Sequence, residues 1–436
     1  MYRALDTHNG SSKNLLLLDD SMTDFSQLRI DGQRLWDSLM EMAQIGATEK
    51  GGCNRQALTD LDKQGRDLFV HWCKDAGCDV TIDKMGNIFA RRQGNNPHLP
   101  PVLTGSHLDT QPTGGRFDGV YGVLAGLEVV RTLNDAGIET EAPLEVAVWT
   151  NEEGARFSPA MIGSGVWSGN FDLDYAYARA DKEGKTFGKE LARIGYKGKA
   201  PAQARPLSAA FEVHIEQGPI LEAEQKQIGV LTGVQGMHWY DLTLIGQPCH
   251  AGPSPMEGRR DPFMGLHRIL DALYKLAAEH APWARATFGD IRVEPGSRNT
   301  VPEKLVLAVD LRHPDQNILN TMDQRFREIA ARIADETGLE HQIRDEWRSP
   351  AVKFDEKCVE AVRSAVAELG YSNKEMVSGA GHDSVYISRV APTSMIFVPC
   401  EKGLSHNEAE NAEPEDLEAG ANVLLHAMLK MANSAV

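Results

Sequence analysis

Four short apolar runs in this 436-residue chain each lead onto a histidine or a pair of acids, and that repetition limits the folds open to it. Pro101-Val102-Leu103-Thr104-Gly105 is apolar, short and stopped by glycine, the pattern of a buried strand, and His107 comes two residues later. Leu144-Glu145-Val146-Ala147-Val148-Trp149 leads into Asn151-Glu152-Glu153-Gly154. Phe211-Glu212-Val213-His214-Ile215 carries His214 on an alternating strand, and Met395-Ile396-Phe397-Val398-Pro399 precedes the loop Ser405-His406-Asn407. Open α/β sheets place their ligands beyond the carboxyl ends of their strands. The chain is therefore expected to deliver His107, Glu152, Glu153, His214 and His406 to one edge of one sheet.

Taken singly, each of these residues has an ordinary explanation. A histidine beside an apolar run is usually a core or surface residue, and two adjacent acids on a loop are usually solvated. The coincidence at all four strands favours a metal site instead. Imidazole nitrogen and carboxylate oxygen suit borderline divalent metals, and a hydrolytic site keeps a position open for water. Asp118, in Gly114-Gly115-Arg116-Phe117-Asp118-Gly119, suits a bridge, because a carboxylate has two oxygens and can serve two metals. Asp109, in Gly105-Ser106-His107-Leu108-Asp109-Thr110, is expected to accept the other ring N–H of His107 and fix its tautomer. Glu152 and Glu153 can divide the work: one ligates, and the other stays free to take a proton from water that a metal acidifies.

The chain is longer than one core usually supports, so two domains are expected. The pattern predicts helices over Arg34 to Ala43, Thr59 to Ala76 and Val120 to Ala136, with Leu58, Leu61, Leu68 and Trp72 on one face of the second. From about residue 231 to 345 the pattern changes. A strand over Met237 to Ile245, a helix over Asp261 to Glu279, strands over Ala286 to Val293 and Lys304 to Leu311, a helix over Ile318 to Thr337 and a strand over Glu340 to Trp347 spell a ferredoxin-like unit. It interrupts a domain built from 25–230 and 346–436, while 1–24 reads as a disordered tail too short in apolar residues for a signal peptide.

Formal charge is −17, from 45 basic and 62 acidic residues, which argues against a nucleic-acid partner. No apolar stretch is long enough for a bilayer span. The six cysteines have no metal-type repeat and read as reduced thiols of a cytoplasmic protein.

The runs GSHLDT, GGRFDG, TNEEGARF, HIEQGP, GQPCHAGPSPMEGRRD, SRNTVP, DLRHPD, SGAGHD and GLSHNEAE resemble the hydantoinase/carbamoylase branch of the M20 metallopeptidase family, in the family's order and over nearly the whole chain from Leu28. The resemblance implies an α/β, mixed-sheet di-metal hydrolase domain with an inserted ferredoxin-like α+β lid and dimerisation domain. It implies two divalent ions, zinc, manganese, cobalt or nickel, one held by His107, Asp118 and His214 and the other by Asp118, Glu153 and His406. Glu152 is then the general base, and His250, in the turn Cys249-His250-Ala251-Gly252, stabilises the oxyanion, often across a homodimer. Asn299 gains a polar substrate contact, Arg312 binds the substrate carboxylate, and Gln217 and His382 are further polar candidates.

The substrate class implied is an N-carbamoyl-L-amino acid, cleaved at its ureido C–N bond. Allantoate and N-carbamoyl-β-alanine are the alternatives within the branch, while His214 disfavours an aminoacylase or dipeptidase. A reading from another class is a non-catalytic metal-binding assembly protein, against which the intact Glu152 speaks.

Overall fold

The computed structural model describes residues 25–434, so the tail expected at 1–24 lies outside the described residues. Ahead of the insertion the chain forms β1 (Asp79–Ile82), β2 (Ile88–Arg92), β3 (Val102–His107), β4 (Leu144–Trp149), β5 (Ala209–Ile215) and β6 (Ile228–Val234). The insertion holds β7 (Gly236–Ile245), β8 (Cys249–His250), β9 (Arg285–Thr287), β10 (Ile291–Glu294), β11 (Thr300–Val301), β12 (Lys304–His313) and β13 (Glu340–Ser349). Three strands follow it: β14 (Val352–Lys353), β15 (Asn373–Ser378) and β16 (Thr393–Val398).

Every residue of β3, β4, β5 and β16 is buried, which is why these segments read as nearly unbroken apolar runs. They are neighbours in the order β4-β3-β5-β16, and each adjacent pair is parallel. Their carboxyl ends therefore share one edge. Antiparallel pairs flank them on both sides, β1 with β2 and β2 with β4 at one end and β16 with β6 at the other, so the nine-stranded sheet is mixed. Helices Val120–Asp135 and Pro414–Asn433 contribute to the main core along most of their length. A smaller core holds Phe89, Trp149 and Trp167, with the two indole rings 5.4 Å apart. No helix among the described residues is long and apolar enough to cross a membrane.

The insertion has a core of its own. β7 and β12 alternate buried and less buried residues, so one face of their sheet is packed and the other is open. Helices Pro262–Glu279 and Gln316–Thr337 cover the packed face with Leu266, Ile269 and Leu273 and with Leu319, Met322 and Phe326. Asp315 caps the second helix by accepting the N–H groups of Asn317 and Ile318, and Gly338 ends it at φ 68°. The order β10-β12-β7-β13, antiparallel throughout, is that of a ferredoxin-like sheet.

Three local expectations need correction. The single strand expected over Ala286 to Val293 is two. β9 and β10 both pair with β12, but the register slips by one residue across Phe288-Gly289-Asp290, a β-bulge. Cys249 and His250 form a short strand against Val301 and Thr300 before the turn begins. Helix Asp60–Asp75 buries Asp62, Arg66, Phe69 and Cys73; of the expected apolar residues Leu58 lies in the core and Leu68 and Trp72 pack half-buried against it, but Leu61 is 37% exposed. Its inner face is set by an ion pair: Arg66 Nε donates to Asp62 Oδ2 at 2.9 Å, with both side chains fully buried. Arg66 also donates to the carbonyl of Gly86 and the hydroxyl of Thr150, fastening the helix to the end of β4.

Removing one partner of a buried pair strands the other's charge. Arg66→Ala is expected to lower the unfolding free energy by about 3–5 kcal/mol, and the double change Asp62→Leu with Arg66→Met to recover most of that loss. Denaturant titration checks it. A loss below about 1 kcal/mol for the single variant would show that the pair carries no such weight.

Candidate metal centre

Backbone hydrogen bonds place each candidate ligand before its side chain is considered. Past β3, the guanidinium of Arg55 donates to the carbonyl of Leu108 at 2.9 Å and fixes the exit of the strand. Asp109 differs from expectation here. Its backbone carbonyl, not its carboxylate, accepts from His107 Nδ1, at 2.8 Å. Its carboxylate instead accepts the N–H groups of Glu152 and Glu153, at 3.2 and 3.3 Å. A side chain two residues from the histidine thus holds the loop after the neighbouring parallel strand. In that loop Asn151 adopts φ 60°, a conformation asparagine tolerates better than most residues, and its amide donates to the carbonyl of Phe157. His214 Nδ1 donates to the carbonyl of Ile215 at 2.9 Å. Both buried imidazoles therefore turn Nε2 inward.

Asp118 is what they face. Its Oδ1 lies 3.1 Å from His214 Nε2 and 3.6 Å from His107 Nε2, while its Oδ2 lies 3.4 Å from His406 Nε2. His406 Nε2 is also 3.3 Å from Glu153 Oε2. Two sets of three potential ligands, His107–Asp118–His214 and Asp118–Glu153–His406, thus share one carboxylate. Gly119 makes room for the first set. It sits at φ 70°, and a Cβ there would fall 2.3 Å from the ring of His107.

The field in this cleft calls for positive charge. Burial alone would lower the pKa of His107, yet the nearby Glu152 charge and the hydrogen bond to Asp118 hold it well above the ordinary range. Hydrogen bonds to Asp118 and Glu153 push half-exposed His406 up to about 11. Burial and the charges of Asp383, Glu153 and Asp118 drive Glu152 well above the usual carboxylate range, against the opposing pull of His107. Burial would lower the pKa of His214 too, yet the hydrogen bond to Asp118 and its charge raise it above the ordinary value; with Nδ1 already committed to a backbone carbonyl, Nε2 is the atom at which a metal would displace a proton. This donor set of imidazole and carboxylate fits a divalent metal. A third cluster, Glu212, His214 and His382, does not fit as well, because Glu212 already accepts from Ser106 Oγ and from the N–H and hydroxyl of Ser384.

A cleft of about 370 Å³ surrounds these groups, and Gln217, His382 and Arg312 also line it. Gln217 Nε2 donates to Asp118 Oδ2 at 2.9 Å and to Ser405 Oγ at 3.1 Å, so its amide nitrogen serves a candidate ligand, while its Oε1 is buried without a partner. His382 is buried with its ring 4.7 Å from that of His214, and burial, reinforced by His214, keeps its pKa well below the ordinary value. Arg312 uses Nε and Nη2 on Asp310 and Nη1 on the carbonyl of Gly379, which leaves one N–H on each terminal nitrogen. His250 and Asn299 are different. They are neighbours, with Ala251 N–H donating to the carbonyl of Asn299, but both are exposed and outside this cleft.

Glu410 was not singled out from the sequence. Its buried carboxylate accepts the N–H groups of Phe117 and Asp118, at 2.9 and 3.1 Å, and Ser405 Oγ stands 2.9 Å from it and 3.0 Å from Asp118. Burial and the Asp118 charge raise Glu410 to about 7. One hydroxyl proton cannot satisfy two carboxylates, so a proton on Glu410 completes the chain to Asp118. The available signal was its place four residues past His406 in Ser405-His406-Asn407-Glu408-Ala409-Glu410.

The chain is similar to known proteins over most of its length. The model of peptidase family M20/M25/M40 matches residues 103–430. The N-carbamoyl-L-amino-acid amidohydrolase of Rhizobium meliloti is 52% identical over 93% of this chain and 97% of its own. The enzyme of the same name from Geobacillus stearothermophilus is 36% identical over 92% and 99%. A crystal structure of an amidase of the hydantoinase/carbamoylase family from Burkholderia multivorans superposes with a TM-score of 0.89 at 58% identity, covering 93% of this chain and 98% of that one.

Metal must displace protons from such a site. Because His406 without metal holds its proton up to about pH 11, apparent affinity for a divalent ion should rise with pH throughout the neutral range, about tenfold per unit for each proton released. Chelator competition between pH 6 and 9 measures this, and an affinity independent of pH would rule out displacement.

Proposed function

The chain belongs to the M20/M25/M40 peptidase family, and on that footing we propose that it hydrolyses the ureido C–N bond of N-carbamoyl-L-amino acids to amino acid, ammonia and carbon dioxide. It is an amidohydrolase acting on a non-peptide C–N bond, like the relatives it resembles. The observation that carries this reading is a single cleft holding the His–carboxylate cluster and, on its other wall, an arginine with two unused N–H groups. A ureido acid offers one group to each.

His107, Asp118 and His214 would hold one divalent ion, and Asp118, Glu153 and His406 a second; zinc, manganese, cobalt and nickel all suit such ligands. When bound, these ions supply Lewis acidity, polarising a carbonyl and lowering the pKa of water. The protein's own residues do the rest. Glu152, whose surroundings raise its affinity for a proton, accepts one from the attacking water and returns it to the departing nitrogen. One water is consumed and the carbamate left behind loses carbon dioxide. Arg312, steadied by Asp310 and Gly379, pairs its two free N–H groups with the far carboxylate and so orients the ureido carbonyl.

His250 and Asn299 enter the same scheme from a second copy of the chain. We place them at the oxyanion of a partner's cleft in a homodimer formed through the inserted unit. Exposed Phe263, Met264 and Tyr274 on one helix of that unit, and Ile291 on its edge strand β10, support this reading. Six free thiols, five of them buried, support a reducing, cytoplasmic setting.

Glu152→Gln should retain the metal content of the parent enzyme and lower kcat by about 10²–10⁴-fold, whereas Glu153→Gln should lose metal. Elemental analysis alongside ammonia release decides it; the opposite pattern would exchange the two roles. Arg312→Lys, which cannot reproduce the planar fork, should lower kcat/KM by roughly 2–4 kcal/mol with metal content unchanged. Pinning carboxylate and carbonyl also fixes the hand of Cα, so N-carbamoyl-D-amino acids should turn over far more slowly than the L forms. Equal rates on both would remove Arg312 from this role.

A further inference from the structure

Between the two anchoring points of such a substrate lies a surface with a different chemistry. Met237 stands directly opposite Arg312 in the β7–β12 register, so both side chains leave the sheet on its open face. Trp239, two residues along the same strand, shares that face and is 43% exposed. Its ring centroid is 5.0 Å from that of Trp347, its partner on β13. The opposite wall begins at the general base. Met161 N–H donates to the backbone carbonyl of Glu152 at 2.7 Å, so Met161 is tied to the loop that carries it.

The two walls meet at Gly381. A Cβ on that residue would lie 3.2 Å from Met161 Cε, 3.7 Å from Met161 Sδ and 3.9 Å from Met237 Cε. Two thioether side chains, one from each wall, therefore converge on a bare Cα. Met161, Gly381, Met237, Trp239 and Trp347 all line the cleft that holds the ligand cluster and Arg312. An apolar strip thus spans the distance from Glu152 to the arginine.

Resting on the ureido-acid reading above, we infer that this strip receives the substrate's side chain and that the enzyme selects large apolar amino acids. With the ureido group at the cluster and the carboxylate on Arg312, Cα must lie over Met237 and Gly381, and its remaining substituent is directed along the strip. A charged or hydrogen-bonding side chain there would give up water for surfaces without matching partners. An apolar one gains burial. Methionine is unbranched and adaptable, so the selection is for size and apolarity, not for one shape. The same reasoning disfavours allantoate, whose second ureido group would leave its donors unpaired against the strip.

The test uses the metal-loaded full chain with N-carbamoyl derivatives of glycine, L-aspartate, L-methionine and L-phenylalanine, and with allantoate. Methionine and phenylalanine derivatives should exceed the glycine and aspartate derivatives and allantoate in kcat/KM by at least about tenfold. Gly381→Ala places a methyl group against Met161 and should lower the phenylalanine-to-glycine ratio by about tenfold. Trp239→Ala should lower the same ratio, and Trp239→Phe should restore most of it, with metal content and Tm verifying that the variants fold. Equal kcat/KM across the series, preference for glycine or aspartate, or a ratio unmoved in both Gly381→Ala and Trp239→Ala would overturn the inference while leaving the reaction standing. No turnover of any ureido acid would overturn the reaction and this inference together.

Discussion

One buried carboxylate governs the design. Asp118 turns an oxygen to each of two sets of potential ligands, and three imidazoles hold it well below the usual carboxylate range although burial works the other way. Such a group is tolerable inside a protein only among cations and donors that answer both of its oxygens. Much of the surrounding architecture supplies them. Parallel β3 and β5 bring His107 and His214 side by side, Gly119 lets the loop pass close to an imidazole, and Gln217 and Ser405 donate from beyond. Glu410 holds the carboxylate's own backbone in place.

The second sheet completes the cleft through a small number of contacts. Arg312 is not a free arm awaiting an anion. Asp310 engages one edge of its guanidinium and the carbonyl of Gly379 engages another, so its remaining N–H groups are held in place by the protein itself. In the proposed role on a substrate carboxylate, that restraint would reduce the ordering cost of binding, since the long side chain surrenders its freedom during folding. The contact with Gly379 also crosses from the inserted unit to the loop that carries Gly381 and His382, so the arginine, the apolar strip and the neutral imidazole share one local framework.

How much of this could be read from the sequence follows from the range of the forces involved. The strands that carry His107 and His214 or lead to His406 were legible because burial on both faces writes itself as uninterrupted apolar residues. The order of the inserted unit was legible for a similar reason, in its alternation. Long-range polar contacts left no such mark. The inner face of helix Asp60–Asp75 was misread because a buried Asp62–Arg66 pair looks, in sequence, like a solvated i, i+4 pair. Asp109 was assigned to its near neighbour His107, when its carboxylate reaches across to the next strand's loop. The bulge at Phe288-Gly289-Asp290 depends on the count of residues opposite it in β12, which no local pattern reveals.

The topology also dictates when the protein can come into being. β16 pairs with β5 on one side and β6 on the other, yet it is made after the whole inserted unit. During synthesis β5 and β6 must therefore wait, apart, for a strand well over a hundred residues downstream, and a buried apolar strand edge left waiting is a template for the wrong neighbour. A ferredoxin-like insertion with a core of its own can fold in that interval and hold the ends of β6 and β14 near each other, shortening the search for the last strand. His406 arrives only with that strand's loop. A chain cut short before it would be an open sheet seeking a partner, not a smaller enzyme.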